Sequence, residues 1–126
     1  MTTEKRPLSL QELSDLGYEA DCKAGWVDPT NPSVKPAGQS FVEFIALTHS
    51  ELSEALEDFR AGKAPNEVWY EGADGKKPCG IPSEMADVVI RVIGACRKHG
   101  IDLQAAVEEK IAYNATRPFR HGGKKI

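Results

Sequence analysis

No Cys-x-x-Cys pair occurs in the chain, and its three cysteines, Cys22, Cys79 and Cys96, are scattered. That excludes the ligand spacing of a zinc knuckle and fits a reducing compartment. No apolar run approaches the length of a membrane span. The opening Met-Thr-Thr-Glu-Lys-Arg-Pro lacks the apolar stretch of a secretory signal. The expected location is the cytoplasm, with no membrane partner. An excess of basic charge is missing too. The 16 Lys and Arg face 19 Asp and Glu, for a net charge of −3. A dedicated nucleic-acid binder would carry a basic patch and a high pI, so that class is set aside.

What is present is an ordinary globular composition, 40% hydrophobic and 28% charged. The 126 residues suffice for one domain with a real core. That domain is expected to span 1–126, with flexible ends at 1–8 and 119–126. Ser9 with Glu12 makes a capping-box pattern. Leu10, Leu13, Leu16, Ala20 and Ala24 follow at helical spacing. A first helix is predicted from about Leu10 to Lys23, with Gly17 as its weak point. Pro29, Pro32 and Pro36 rule out a helix in the next connection. Ser40 is the expected cap of a helix over Phe41–Arg60, ending at Ala61-Gly62. Residues 63–82 read as a long loop. Glu67–Glu71 and the Gly-Ala-Asp-Gly after it place a short hairpin there. Pro82 and Ser83 open a third helix, closed by His99-Gly100. Asp102 caps a last helix reaching about Thr116. The fold class is all-α, with a long loop or short hairpin between the second and third helices.

Two acidic quartets stand out, Glu51-Leu-Ser-Glu54 and Glu84-Met-Ala-Asp87. Residues i and i+3 share a helix face, about 5–6 Å apart at Cβ, and like charges that close repel. Such a pattern asks for a cation. On the second helix Phe41, Phe44, Ile45, Thr48, Leu52, Ala55, Leu56 and Phe59 form an apolar stripe. Glu51, Glu54 and Asp58 flank it. On the third, Met85, Val88, Val89, Val92 and Cys96 form the stripe. Glu84 and Asp87 flank it, with Arg91 one turn further on. Stripe packed on stripe would bring the two acidic flanks to one seam. Four carboxylates there supply hard oxygen ligands, which suit Mg²⁺ or Mn²⁺. One quartet alone would read as a solvated face; two, each on the edge of an apolar stripe, favour a metal site.

These segments resemble the MazG-like family of all-α nucleoside triphosphate pyrophosphohydrolases. Leu47-Thr-His-Ser-Glu-Leu-Ser-Glu-Ala-Leu-Glu is similar to the family's first metal helix. Gly80-Ile-Pro-Ser-Glu-Met-Ala-Asp-Val-Val-Ile-Arg is similar to its second. Lys110-Ile-Ala-Tyr-Asn-Ala-Thr-Arg-Pro, with His121-Gly-Gly-Lys after it, is similar to its closing block. Together they cover most of residues 41–124 in the family's order. The spacer between Glu54 and Glu84 is long for the family. The resemblance implies an antiparallel helical bundle assembled as a homodimer or homotetramer. It implies Mg²⁺-dependent hydrolysis of a nucleoside triphosphate to monophosphate and pyrophosphate, as in house-cleaning of the nucleotide pool. Glu51, Glu54, Glu84 and Asp87 would hold the metal, with Mn²⁺ as a possible substitute.

On the last helix Lys110, Asn114 and Arg117 stand at i, i+4 and i+7. An ammonium, an amide and a guanidinium on one side suit a triphosphate facing the carboxylates. The plain alternative is a solvated helix end, where cations favour the dipole. Tyr70 is the candidate to stack on a base, ahead of Trp26. His121 and Lys124 can fold over phosphates or belong to a solvated tail. His49 falls off the acidic flank and reads as a packed or interface residue. A di-iron carboxylate bundle would need Glu-x-x-His pairs, and neither quartet has one. A non-enzymatic helical module, whose acidic seams bind a basic partner, is the other competing class.

Overall fold

A computed structural model describes residues 5–30 and 41–126. It is mostly helical: α1 Leu10–Ala24, α2 Phe41–Arg60, α3 Ile81–Lys98, α4 Leu103–Ala115 and a short α5 Arg120–Gly123. One two-stranded sheet, β1 Trp69–Glu71 and β2 Lys77–Cys79, joins α2 to α3. No helix among the described residues is long and apolar enough to cross a membrane. The expected Ser40 cap and most of the proline-rich connection lie outside the described residues.

Local chemistry sets the helix ends. Ser9 Oγ accepts from Glu12 N at 3.1 Å, and the Glu12 carboxylate accepts from Ser9 N at 3.2 Å, completing the capping box. Gly25 closes α1 in the left-handed region, where a side chain would be strained. Gly17 sits inside α1 without breaking it. Asp102 Oδ1 accepts from Ala105 N at 3.0 Å and caps α4. The α5 turn is not a right-handed helix, because Arg120 and His121 both adopt left-handed backbone.

The hairpin is antiparallel, pairing Trp69 with Cys79, Tyr70 with Pro78 and Glu71 with Lys77. Its base is clamped onto the start of α3 by Gly80. That residue is buried with φ 113°, and a Cβ there would stand 2.3 Å from the Glu67 carbonyl oxygen. Only glycine tolerates both the backbone and the approach.

α3 is the central helix. It packs against α2, α1 and α4, while the α4 backbone does not approach that of α2. The ring of Phe41, at the start of α2, meets His99, at the end of α3, edge-on at 5.1 Å. Those two helices therefore run antiparallel. The apolar core is small: among the described residues only Ala55, Ile93 and Ala95 are buried apolar side chains.

The face that α2 turns inward differs from the expected stripe. Glu51 and Ala55 are buried, with Phe44, Thr48 and Asp58 half-buried. Ile45, Leu52, Leu56 and Phe59 are exposed instead. On α3, Ile93 and Ala95 take the buried places, while Met85 and Val89 of its expected stripe are exposed. The expected apolar stripes are thus partly displaced from the α2–α3 contact, and part of the acidic flank occupies it.

Candidate metal centre

The antiparallel pairing sets the C-terminal half of α2 beside the first turn of α3. Glu51 and Glu54 project from α2, and Glu84 from α3. One carboxylate oxygen of each lies within 4.8 Å of the other two. Glu51 is buried, Glu84 half-buried and Glu54 exposed. Ser53, Glu54, Glu57, Asp58 and Glu84 line an open depression of about 390 Å³ beside them.

Glu84 carries the strain of this arrangement. Its Oε2 is buried with no hydrogen-bond partner. Burial, and then the neighbouring carboxylates of Glu54 and Glu51, push its carboxyl from 4.5 up to about 7. Acceptors without a donor between them are costly. The first turn of a helix favours an anion there, but that offsets only part of the burial.

Glu51 has found a donor. Arg91 of α3 places Nε 2.9 Å and Nη2 2.8 Å from the same oxygen, Glu51 Oε1. The sequence puts Arg91 on the right flank of α3, one turn past Asp87. It gives no sign of which carboxylate on the other helix the guanidinium would choose.

Of the four expected ligands, the structure brings three together. Asp87 is exposed and outside the triad. One turn of α3 past Glu84, it stays on the helix surface rather than at the seam. The α4 trio is not brought to the carboxylates within one chain, since the α4 backbone does not approach that of α2. Lys110 Nζ lies 5.7 Å from the Tyr113 ring centroid, and the Arg117 guanidinium 5.9 Å from the same ring. Asn114 is exposed. On the hairpin Tyr70 is 63% exposed. Its neighbour Trp69 is already engaged, with Lys63 Nζ 4.7 Å from its ring centroid and its Nε1 donating to Glu71 at 3.0 Å. His49, His121 and Lys124 are all exposed.

No protein-family model, no curated protein and no solved structure matches the chain.

Proposed function

We propose that the protein is a metal-dependent nucleoside triphosphate pyrophosphohydrolase of the MazG-like type, releasing monophosphate and pyrophosphate. One observation carries this reading: Glu51, Glu54 and Glu84 each place a carboxylate oxygen within 4.8 Å of the other two, and Glu84 Oε2 is buried with no donor. A purely structural network would close that oxygen with a hydrogen bond. An all-oxygen donor set fits a hard cation, Mg²⁺ or Mn²⁺. Such a cation, when bound, lowers the pKa of a water and neutralises charge on the leaving pyrophosphate. Glu51 and Glu54 from α2 and Glu84 from α3 hold it, with Asp87 as a candidate outer ligand. Phosphoryl chemistry otherwise needs mainly positioning and charge stabilisation. Lys110 and Arg117 supply cations for the phosphates, Asn114 a hydrogen bond to sugar or base, and Tyr70 a stacking surface.

The working form in this reading is a homodimer or homotetramer acting on cytoplasmic nucleotides. Val42, Ile45, Leu52, Leu56 and Phe59 lie exposed along α2. Residues 110–126 carry Lys110, Arg117, Arg120, Lys124 and Lys125 and no acidic residue, so they suit the acidic seam of a second copy.

The test is a panel of nucleoside triphosphates with Mg²⁺, with products separated by chromatography. Monophosphate and pyrophosphate are expected, and EDTA should stop their appearance. Diphosphate with inorganic phosphate, or no turnover of any triphosphate, overturns the reading. Light scattering should give a mass above that of one chain.

A further inference from the structure

Glu51 is the one buried charged residue among those described, and Arg91 is what makes its burial tolerable. Two guanidinium nitrogens converge on one oxygen of Glu51. A few ångströms away Glu84 Oε2 has no donor at all. Among the described residues, the positive charge that the seam shows in contact with these carboxylates is Arg91, and it is committed to one of the three. A divalent cation shared by those carboxylates must stand close to that guanidinium. In a part-buried site the repulsion between them is only weakly screened. Both cations compete for Glu51. The Arg91 side chain is 36% exposed against 11% for Glu51, so the arginine has an open side to move into and the glutamate does not.

We propose that Arg91 is the exchangeable counter-cation of this site. It holds Glu51 in the metal-free protein and yields Glu51 to the divalent cation. Its guanidinium then pairs with a phosphate of the nucleotide bound to that cation. The inference rests on the metal-site reading above. Asp87, one turn earlier on the same flank, is the other anion a released guanidinium could meet; that pairing would leave triphosphate binding untouched.

The experiment compares wild type, Arg91→Met and Arg91→Gln. Mn²⁺ binding is followed by the electron paramagnetic resonance signal of the free ion, and KM for triphosphate is measured at saturating Mg²⁺. With the competing charge removed, Mn²⁺ should bind on the order of tenfold tighter. With the phosphate partner removed, KM should rise on the order of tenfold, and kcat should change less. Arg91→Gln keeps an amide donor for Glu51 and gives the same two signs if Arg91→Met does not fold. Mn²⁺ binding that is unchanged or weaker overturns the proposal, weaker binding being the mark of a residue that only orients its ligand. An unchanged KM overturns it equally. If wild type binds Mn²⁺ and the variants match it, this inference alone fails. If wild type binds no Mn²⁺, the metal reading fails and takes this one with it.

Discussion

The two ends of α3 solve the same problem in opposite ways. Near the C-terminal end, Arg97 Nη1 donates to Asp15 Oδ1 at 2.6 Å and to Ser14 Oγ at 3.3 Å. Its guanidinium also lies 4.3 Å from the Tyr18 ring centroid. In the first turn, Glu84 is surrounded by acceptors like itself, and Oε2 has no partner. A charge whose neighbours complete it fastens one helix to another. A charge whose neighbours oppose it costs stability, and such groups concentrate where something binds. The C-terminal end of α3 therefore reads as a fastening and the N-terminal end as a socket.

Glu84→Gln cuts deepest into that distinction. Turnover should fall by more than the roughly 10- to 100-fold typical of losing an outer partner of a metal ligand. In EDTA at pH 8 the variant should melt no lower than wild type, because an amide can donate to Glu54 or Glu51 where an ionised carboxylate cannot. Wild type should gain about 2.7 kcal/mol at a metal concentration 100 times Kd, and Glu84→Gln should lose most of that gain. Melting curves with EDTA and with Mg²⁺ check both halves. A variant that responds to metal as wild type does would remove the socket from the comparison.

Asp87→Asn should cost less, about tenfold in turnover, because Asp87 stands outside the triad. A loss as large as that of Glu84→Gln would place it among the inner ligands. Arg97→Met tests the fastening. Its pair with Asp15 is exposed and worth little, and the contact with Tyr18 adds about 0.5–1 kcal/mol. Urea titration should show that loss, with the stability gained from Mg²⁺ intact.

The comparison also predicts a pH slope for the metal-free protein. The folded state holds the Glu84 proton up to about pH 7, whereas the ordinary value is 4.5. Between those values the folded state binds more protons, so stability falls as pH rises. Above pH 7 the penalty is fully present. Melting in EDTA should therefore be lower at pH 8 than at pH 5.5, and Glu84→Gln should flatten the difference. Glu12, drawn down to about 2 by Arg6 and the Ser9 backbone, acts with the opposite sign. Its stabilisation is lost as pH falls below 4.5, outside that window. A slope that survives in Glu84→Gln would mean that another group titrates there.

Much of this was legible in the residues. Ser9, Asp102 and Gly62 mark helix ends by local chemistry, and each does so in the structure. The Gly-Ala-Asp-Gly turn announces the hairpin. The acidic quartets announce themselves by spacing, and Glu51, Glu54 and Glu84 do meet. What spacing could not convey was which face of α2 turns inward. A helical wheel assumes that the apolar stripe meets its partner. Among the described elements, however, α2 packs on α3 alone, and Ile45, Leu52, Leu56 and Phe59 of its stripe are exposed. The bond between Arg91 and Glu51 was hidden for another reason: it joins different helices, and no local rule selects it. Periodicity likewise gives Lys110, Asn114 and Arg117 a common side of α4 without saying what that side looks at.

Gly80 has a practical consequence for anyone who wishes to modify this chain. Its carbonyl accepts from Glu84 N at 3.1 Å, so the base of the hairpin and the first turn of α3 form one rigid joint. Gly72 and Gly75 at the hairpin tip have positive φ, as Gly80 does, yet no neighbour lies closer than 3.6 Å to a Cβ at Gly72, and none lies within 4 Å at Gly75. The tip is therefore an insertion port. An epitope or fluorophore-binding peptide spliced between Gly72 and Gly75 should leave the Glu51, Glu54 and Glu84 geometry alone, whereas the same cargo at Gly80 would dismantle it.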